Sequence, residues 1–453
     1  MFKKIFCVFF VMFLISSSVF SADAAFTPTD FDVRAEGVVL ASADKDEVLY
    51  TKNDNKKLYP ASITKIMTAL IMIEKIPNLD NEILTVSENA VKSLYGTGSS
   101  VAGLKPGEQY TAKQMLYMLL MVSGNDVALC IAEHIAQTVD GFVNLMNERA
   151  LQLGMINTHY MNPNGLHDDN HYTTAHDVYL LTKQAITHSI FNEVVATTRY
   201  KLPASNLSEA RTLVTTNYLI DYNTGAFYGY YYKHATGLKT GYTDEAGRCL
   251  VSTAEKDGMR YICVLLNSPV FDQSRTMVRY EFADTKKLFE WAFNDFEYKK
   301  IVHAGSSNGI GEGEVKVKYS WDVDYLQYVP ENDFSYILPK NADDSTVTLD
   351  VHLKSETVKA PIKKGEILGT ADIIFAGEVI GNVNVVAANS VERSTVMYIL
   401  DCIVMVLTSV WVKILLLVIL FLVVWFIIAC VYLNYNKKKS RTKRYIKYKE
   451  PKE

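Results

Sequence analysis

The apolar positions change their period several times along the chain, and each change marks an expected element. Residues 35–50 read as two β-rich halves around Asp44-Lys45-Asp46, a hairpin. Pro60-Ala61 opens a helix that carries Ile63, Ile66, Met67, Leu70 and Ile73 on a 3.6-residue period and ends near Pro77. A second helical pattern fills 112–121, breaks at Ser123-Gly124-Asn125 and resumes over 127–138. Two strand-like runs joined by Lys256-Asp257-Gly258 form a strong hairpin signal, and a long helix follows over 279–296. Beyond Tyr298 the period drops to two in EVKVKYSW, STVTLDVHLK, EILGTADIIF and GEVIGNVNVVAA, so 299–395 reads as a small all-β domain.

Two apolar runs belong to neither pattern. The first, 5–20, follows Lys3 and Lys4 and ends in Ser21-Ala22-Asp23-Ala24. It is shorter than the roughly 20 residues that span a bilayer, so 1–24 is expected to be a signal peptide cleaved after Ala24. The second, 414–433, holds 20 uncharged residues, which at about 1.5 Å each cover the roughly 30 Å hydrocarbon core. It is expected to be a transmembrane helix, preceded by a linker, 396–413, and followed by a basic tail, 434–453, on the cytoplasmic side.

Charge follows these boundaries. The net charge of −4 is an average: 25–412 hold 34 Lys and Arg against 47 Asp and Glu, while the tail holds nine against two. The exported body is therefore acidic and does not suit a polyanion; the tail sets topology and meets anionic lipid, and nucleic acid is not expected as a partner. Of the six cysteines, Cys130, Cys249 and Cys263 lie in the body, each inside an apolar stretch, and read as buried free thiols.

Ser62-Ile63-Thr64-Lys65 places an amine within reach of a hydroxyl, because residues three apart share a helical face. Serine is a poor nucleophile unless a neighbour takes its proton, and a lysine can do so only when burial or a second cation lowers its pKa. The spacing alone is common. It gains weight from Ser123-Gly124-Asn125 and Lys239-Thr240-Gly241, which follow in a known order.

Together these motifs resemble the active-site serine penicillin-binding enzymes. YPASITKIMTAL, the stretch from GTGSSVAG to VALCIAEH, LGMINTHYMNPNGLHDDNHYTTAHDVYLL and GLKTGYTDEAGRCLV point to the low-molecular-mass D-alanyl-D-alanine carboxypeptidases. The resemblance implies an α+β fold: a penicillin-binding, β-lactamase-like domain over 25–298, with a helical cluster on an antiparallel sheet, plus the all-β domain and one membrane helix. It implies that Ser62 is acylated by the penultimate D-Ala of a peptidoglycan stem peptide, with Lys65 as general base and Ser123 relaying the proton. Asn125 would hold the substrate amide, Lys239 and Thr240 the terminal carboxylate, and Gly241 would let the substrate lie against the strand. The backbone N–H groups of Ser62 and Tyr242 would hold the oxyanion. β-Lactams would acylate the same serine, and no cofactor or metal is expected.

Alternatives share parts of this pattern: a D,D-endopeptidase or transpeptidase, a β-lactamase, or a penicillin sensor. Gly124, where β-lactamases commonly have Asp, the extra β-domain and the anchor weigh against a β-lactamase, and a tail too short for a domain weighs against a sensor. His167, His171 and His176 do not match metal-ligand spacing, Glu133-His134 lacks a second histidine, and the aromatic run 227–232 reads as a loop or core edge.

Overall fold

The computed structural model describes residues 32–45, 47–305, 313–342 and 347–447, so the expected signal peptide, 1–24, lies outside the described residues. Two compact units divide the chain, one running to Tyr298 and including Ile337–Asn341, the other holding Lys299–Tyr336 and everything from Ala342 on.

In the first unit five strands form one antiparallel sheet: β1 (Gly37–Ser42), β2 (Val48–Lys52), β3 (Ala235–Thr243), β4 (Gly247–Lys256) and β5 (Met259–Ser268). Their order is β2-β1-β5-β4-β3, which leaves β3 as an edge strand. The β4–β5 connection is the tight turn its sequence demands: Lys256 pairs Met259, and Asp257 and Gly258 both have positive φ.

Both faces of this sheet are covered. Val39, Ala41, Val251, Ile262 and Val264 pack toward a helical layer, whereas Val38, Leu40, Leu250, Tyr261 and Cys263 pack toward one long helix on the other side. The period-two alternation of the strands thus feeds two separate cores. The helical layer contains α1 (Lys65–Lys75), α2 (Ala112–Met121), α3 (Asn125–Ala136), α4 (Val139–Gln152), α5 (Ala175–Ala185) and α6 (Ser189–Ala196); α7 (Tyr280–Asp295) covers the far face with Phe282, Leu288, Phe289 and Phe293. All residues of α1 from Lys65 to Met72 are buried, because α2, α3, α4 and α5 surround it. Apolar neighbours around this stretch hold the Lys65 amine away from water. Cys130, Cys249 and Cys263 are buried and free, as expected.

The second unit contains β6 (Gly313–Lys318), β7 (Tyr325–Pro330), β8 (Val347–Leu353), β9 (Thr357–Lys359), β10 (Ile367–Phe375) and β11 (Glu378–Ala387) in the order β8-β10-β11-β7-β6-β9. All pairs are antiparallel except β6 with β9. Two helices follow, α8 (Thr395–Thr408) and α9 (Val410–Lys447). The stretch 396–413, expected as a linker, is therefore largely helical. Its apolar residues carry no glycine or proline to stop a helix, the Ser394 hydroxyl caps the start, and the Tyr319 hydroxyl donates to Asp401 at 2.6 Å. Within α9, the span Val410–Lys438 contains an 18-residue stretch with a mean hydropathy of 3.5, none of it buried, so by length and composition it can cross a membrane.

Candidate active site

Ser62 sits in a 3-10 turn, Ala61–Thr64, and Lys65 is the first residue of α1. Side chains three apart eclipse in a 3-10 turn, and here Lys65 Nζ lies 2.9 Å from Ser62 Oγ. The amine also donates to Asn125 Oδ1 at 2.6 Å and to the Asn164 carbonyl at 2.5 Å. Both of those oxygens can only accept, so a neutral Lys65 spends its two N–H groups on them and turns its lone pair to the serine hydroxyl. Burial, with the Lys239 cation adding to it, pushes the Lys65 pKa well below that of a free lysine; Asp126 opposes the shift.

The Ser123-Gly124-Asn125 break is a sharp corner between α2 and α3. Ser123 has a φ of +59°, in the left-handed region, and Asn125 opens α3, where its carboxamide faces Lys65. The next residue, Asp126, is buried and accepts from the backbone N–H groups of Ala102, Gly103 and Leu104, which fixes the loop beside the site.

From the other side comes edge strand β3. A Cβ on Gly241 would lie 3.1 Å from the Ser62 nitrogen and 3.2 Å from the Pro60 carbonyl, so only glycine lets the strand run this close to the 3-10 turn. Lys239 is fully buried, donates to the Thr240 carbonyl at 2.8 Å, and has its pKa pushed down by burial to about 7. The Thr240 and Thr216 hydroxyls are 2.7 Å apart.

A cleft of about 660 Å3 opens over these groups. Ser62, Ser123, Asn125, Thr240, Gly241 and Tyr242 line it, and the two amines lie buried behind its wall. All eight residues singled out in the sequence are thus brought to one place.

Other contributors carry no motif. Asn164 acts through its backbone, held by Gly165 (φ +84°), where a Cβ would fall 1.9 Å from the Ala61 carbonyl. Two further bonds strap this loop to α1: Thr68 Oγ1 donates to the Pro163 carbonyl at 2.6 Å, and His171 Nε2 is 2.8 Å from Thr64 Oγ1. Since His171 Nδ1 accepts from the Met161 N–H, the ring is neutral with its proton on Nε2, and burial pushes its pKa to about 4. Arg248, Arg279 and Glu281 also line the cleft; Arg279 Nε donates to Glu281 Oε1 at 2.6 Å, and burial raises the Glu281 pKa. No group of three or more His, Cys, Asp or Glu among the described residues could hold a metal. Of the other sequence candidates, Glu133 accepts from Asn89, His134 approaches Glu82, and Phe227 stacks on Tyr218 at 4.5 Å as part of a 3-10 turn packed near α7.

Comparison with known proteins gives a consistent result. The family model described as D-alanyl-D-alanine carboxypeptidase matches residues 23–270, and that described as Penicillin-binding protein 5, C-terminal domain, matches 296–393. The chain is 32% identical over 362 residues to D-alanyl-D-alanine carboxypeptidase DacF of Bacillus subtilis, covering 80% of this chain and 86% of the relative. It is 28% identical over 353 residues to DacA of Escherichia coli, covering 77% and 81%. Among solved structures it is similar to penicillin binding protein 5 from Haemophilus influenzae (TM-score 0.60, 26% identity, 81% of this chain and 99% of that one). It is also similar to DacD from Francisella tularensis (TM-score 0.61, 25% identity, 81% and 96%).

Proposed function

Because the chain belongs to the D-alanyl-D-alanine carboxypeptidase family, we propose that Ser62 carries the acyl-enzyme of that reaction and that Lys65 is its base. The protein is a serine-type D-Ala-D-Ala carboxypeptidase, and penicillin reactivity follows from its family. What remains to assign is which groups do which work.

Neutral Lys65 takes the Ser62 proton as Oγ bonds to the carbonyl carbon of the penultimate D-Ala. The oxyanion rests on the N–H groups of Ser62 and Tyr242, which β3 brings together at Gly241. As the C–N bond breaks, the proton passes from Lys65 through the Ser123 hydroxyl to the departing D-Ala amine. Water then adds to the ester, again with Lys65 as base, and Ser62 leaves with its proton restored. Asn125, its Oδ1 held by Lys65, offers Nδ2 to the substrate amide. The terminal carboxylate meets Lys239 and Thr240, a charge-assisted pairing suited to an ammonium and a hydroxyl.

The observation that carries this reading is the buried Lys65 amine 2.9 Å from Ser62 Oγ, with two acceptor-only oxygens fixing its remaining directions. Incubating the detergent-solubilised chain with diacetyl-Lys-D-Ala-D-Ala tests it. Free D-Ala should appear, and Lys65→Ala should stop its release while leaving the protein folded; release at the wild-type rate from that variant would overturn the base assignment.

The same reading places the enzyme at a bacterial cell membrane, held by a single span in Val410–Lys438, with the catalytic unit outside after signal cleavage and the basic tail in the cytoplasm. The length and apolarity of that helix and the lysines and arginines after it support this. A fusion of a periplasm-activated reporter to the C-terminus should stay inactive; activity would reverse the topology.

A further inference from the structure

Tyr218 and Arg279 line the catalytic cleft, and from them a row of aromatic rings leads out of it. Phe227 stacks on Tyr218 with centroids 4.5 Å apart and 12° between the planes, Tyr230 lies 6.5 Å from Phe227, and the Arg279 guanidinium sits 5.0 Å above Tyr218. Next to Tyr230 in the chain, Tyr231 is 6.1 Å from Tyr228, with 19° between the planes, and 6.2 Å from Tyr222. Six rings thus fall within residues 218–231.

The turn that presents them is braced by α7. Lys286 donates to the carbonyls of Gly229 and Tyr231 at 3.2 and 3.3 Å, and Phe282 lies 5.2 Å from Tyr218 and 5.8 Å from Tyr230. A core edge would bury its rings, and only part of this run is buried. Tyr222, Phe227 and Tyr228 are 61%, 38% and 58% exposed, while Leu219 and Ile220 beside them are buried, so the exposed surface is aromatic and not aliphatic.

We propose that this aromatic row is a docking surface for the glycan strand that carries the stem peptides, with pyranose rings stacked on Tyr222, Phe227 and Tyr228. The choice of partner rests on the D-Ala-D-Ala substrate assigned above.

A pyranose presents C–H groups on its flat face, which suit the negative face of an aromatic ring, and hydroxyls at its rim, which suit tyrosine oxygens. Tyrosine has only two side-chain torsions to fix, so a braced row loses little entropy when it is occupied. Two cations at the base are already spent, Arg279 on Glu281 at 2.6 Å and Lys286 on the turn carbonyls. The exposed part is therefore ring faces and hydroxyls, where an anionic lipid surface selects clustered lysines and arginines. Because the row meets the cleft at Tyr218, glycan and stem peptide of one polymer lie along one continuous surface.

The probe is tetra-N-acetylchitotetraose, a neutral β-1,4 glycan without stem peptides, titrated calorimetrically into the full chain in detergent. Each stacked ring contributes about two- to tenfold, so Kd should rise by that factor in Tyr222→Ala and in Tyr228→Ala and further in the double variant. The double variant should release D-Ala from diacetyl-Lys-D-Ala-D-Ala at the wild-type rate, which shows it is folded, and should release it more slowly from intact peptidoglycan sacculi. No binding of the tetrasaccharide at millimolar concentration, or equal affinity in wild type and double variant, would overturn the glycan surface. So would nitration of Tyr222 and Tyr228 that is blocked by phosphatidylglycerol nanodiscs with no glycan present, which would assign the row to lipid. A wild-type chain that releases no D-Ala from the soluble peptide would overturn the carboxypeptidase assignment alone, and the titration would still decide the glycan surface.

Discussion

Lys239→Met should make the protein more stable and less active, and the gain should depend on pH in a calculable way. Lys239 is fully buried, and its pKa falls from 10.5 in an exposed lysine to about 7. The unfolded chain therefore binds a proton that the folded chain lacks between about pH 7 and 10.5, so stability rises with pH through that window and is lowest below it. A shift of about 3.5 units at 1.36 kcal/mol each corresponds to about 5 kcal/mol of destabilisation at pH 6. At pH 9 the folded amine is already neutral, and about two units of the penalty, about 3 kcal/mol, have gone. Methionine has similar length and no charge to bury, so its gain at pH 6 should exceed its gain at pH 9 by about 3 kcal/mol. The lost hydrogen bond to Thr240 O, about 1 kcal/mol, is the same at both pH values and cancels. Release of Lys65 from the same repulsion adds to the acid-side gain. Thermal unfolding in detergent at the two pH values reads this out: at about 2–4 °C per kcal/mol the midpoint gain should be some 6–12 °C larger at pH 6. An equal gain at both, or a loss at pH 6, would refute the claim that a buried cation is maintained here for the sake of the substrate carboxylate.

Three further outcomes follow from the same geometry. Gly165→Ala should cost about 3 kcal/mol or more in denaturant unfolding and slow penicillin acylation, because its Cβ would collide with the Ala61 carbonyl and drive the Asn164 oxygen from Lys65. Asp126→Asn removes the charge that holds the Lys65 pKa up, so the rising limb of the acylation pH profile should move to lower pH, at a stability cost of about 1–3 kcal/mol for the backbone N–H groups left without a carboxylate. His171, whose pKa falls from 6.5 to about 4 on folding, should remove about 3 kcal/mol of stability between those pH values as the unfolded state takes the proton first; His171→Gln should flatten that acid-side loss in pH-dependent unfolding curves.

The residues proposed as nucleophile, base and carboxylate site were legible because each lies in a local pattern: an apolar helical run around Ser62 and Lys65, a break at Ser123, and a strand that carries Lys239-Thr240-Gly241. The β4–β5 turn was legible because Asp257-Gly258 can adopt two successive positive φ values. Asn164 was not, since its contribution is a carbonyl oxygen and any residue supplies one; Gly165 was the available signal, and its meaning depends on the Ala61 carbonyl 104 positions earlier in the chain. His171 looked like a metal ligand to be set aside and proved to be a buried neutral ring that ties a loop to Thr64. The helix α8 was missed because a continuous apolar stretch before a membrane run has no polar face to reveal its period. Asn125 was expected to join the hydrogen-bonded network around Ser62 and Lys65 as well as to hold the substrate amide, and its oxygen is bound to Lys65, a pairing between residues 60 apart that no local pattern records.

The central claim, that Lys65 activates Ser62, is tested most directly by treating the detergent-solubilised chain with benzylpenicillin and locating the adduct by peptide mass spectrometry across a range of pH. One penicilloyl group per chain should sit on Ser62, at a rate that rises with pH as Lys65 loses its proton, and Ser62→Ala should take up none. An adduct on any other residue, or labelling that persists in Ser62→Ala, would contradict the account.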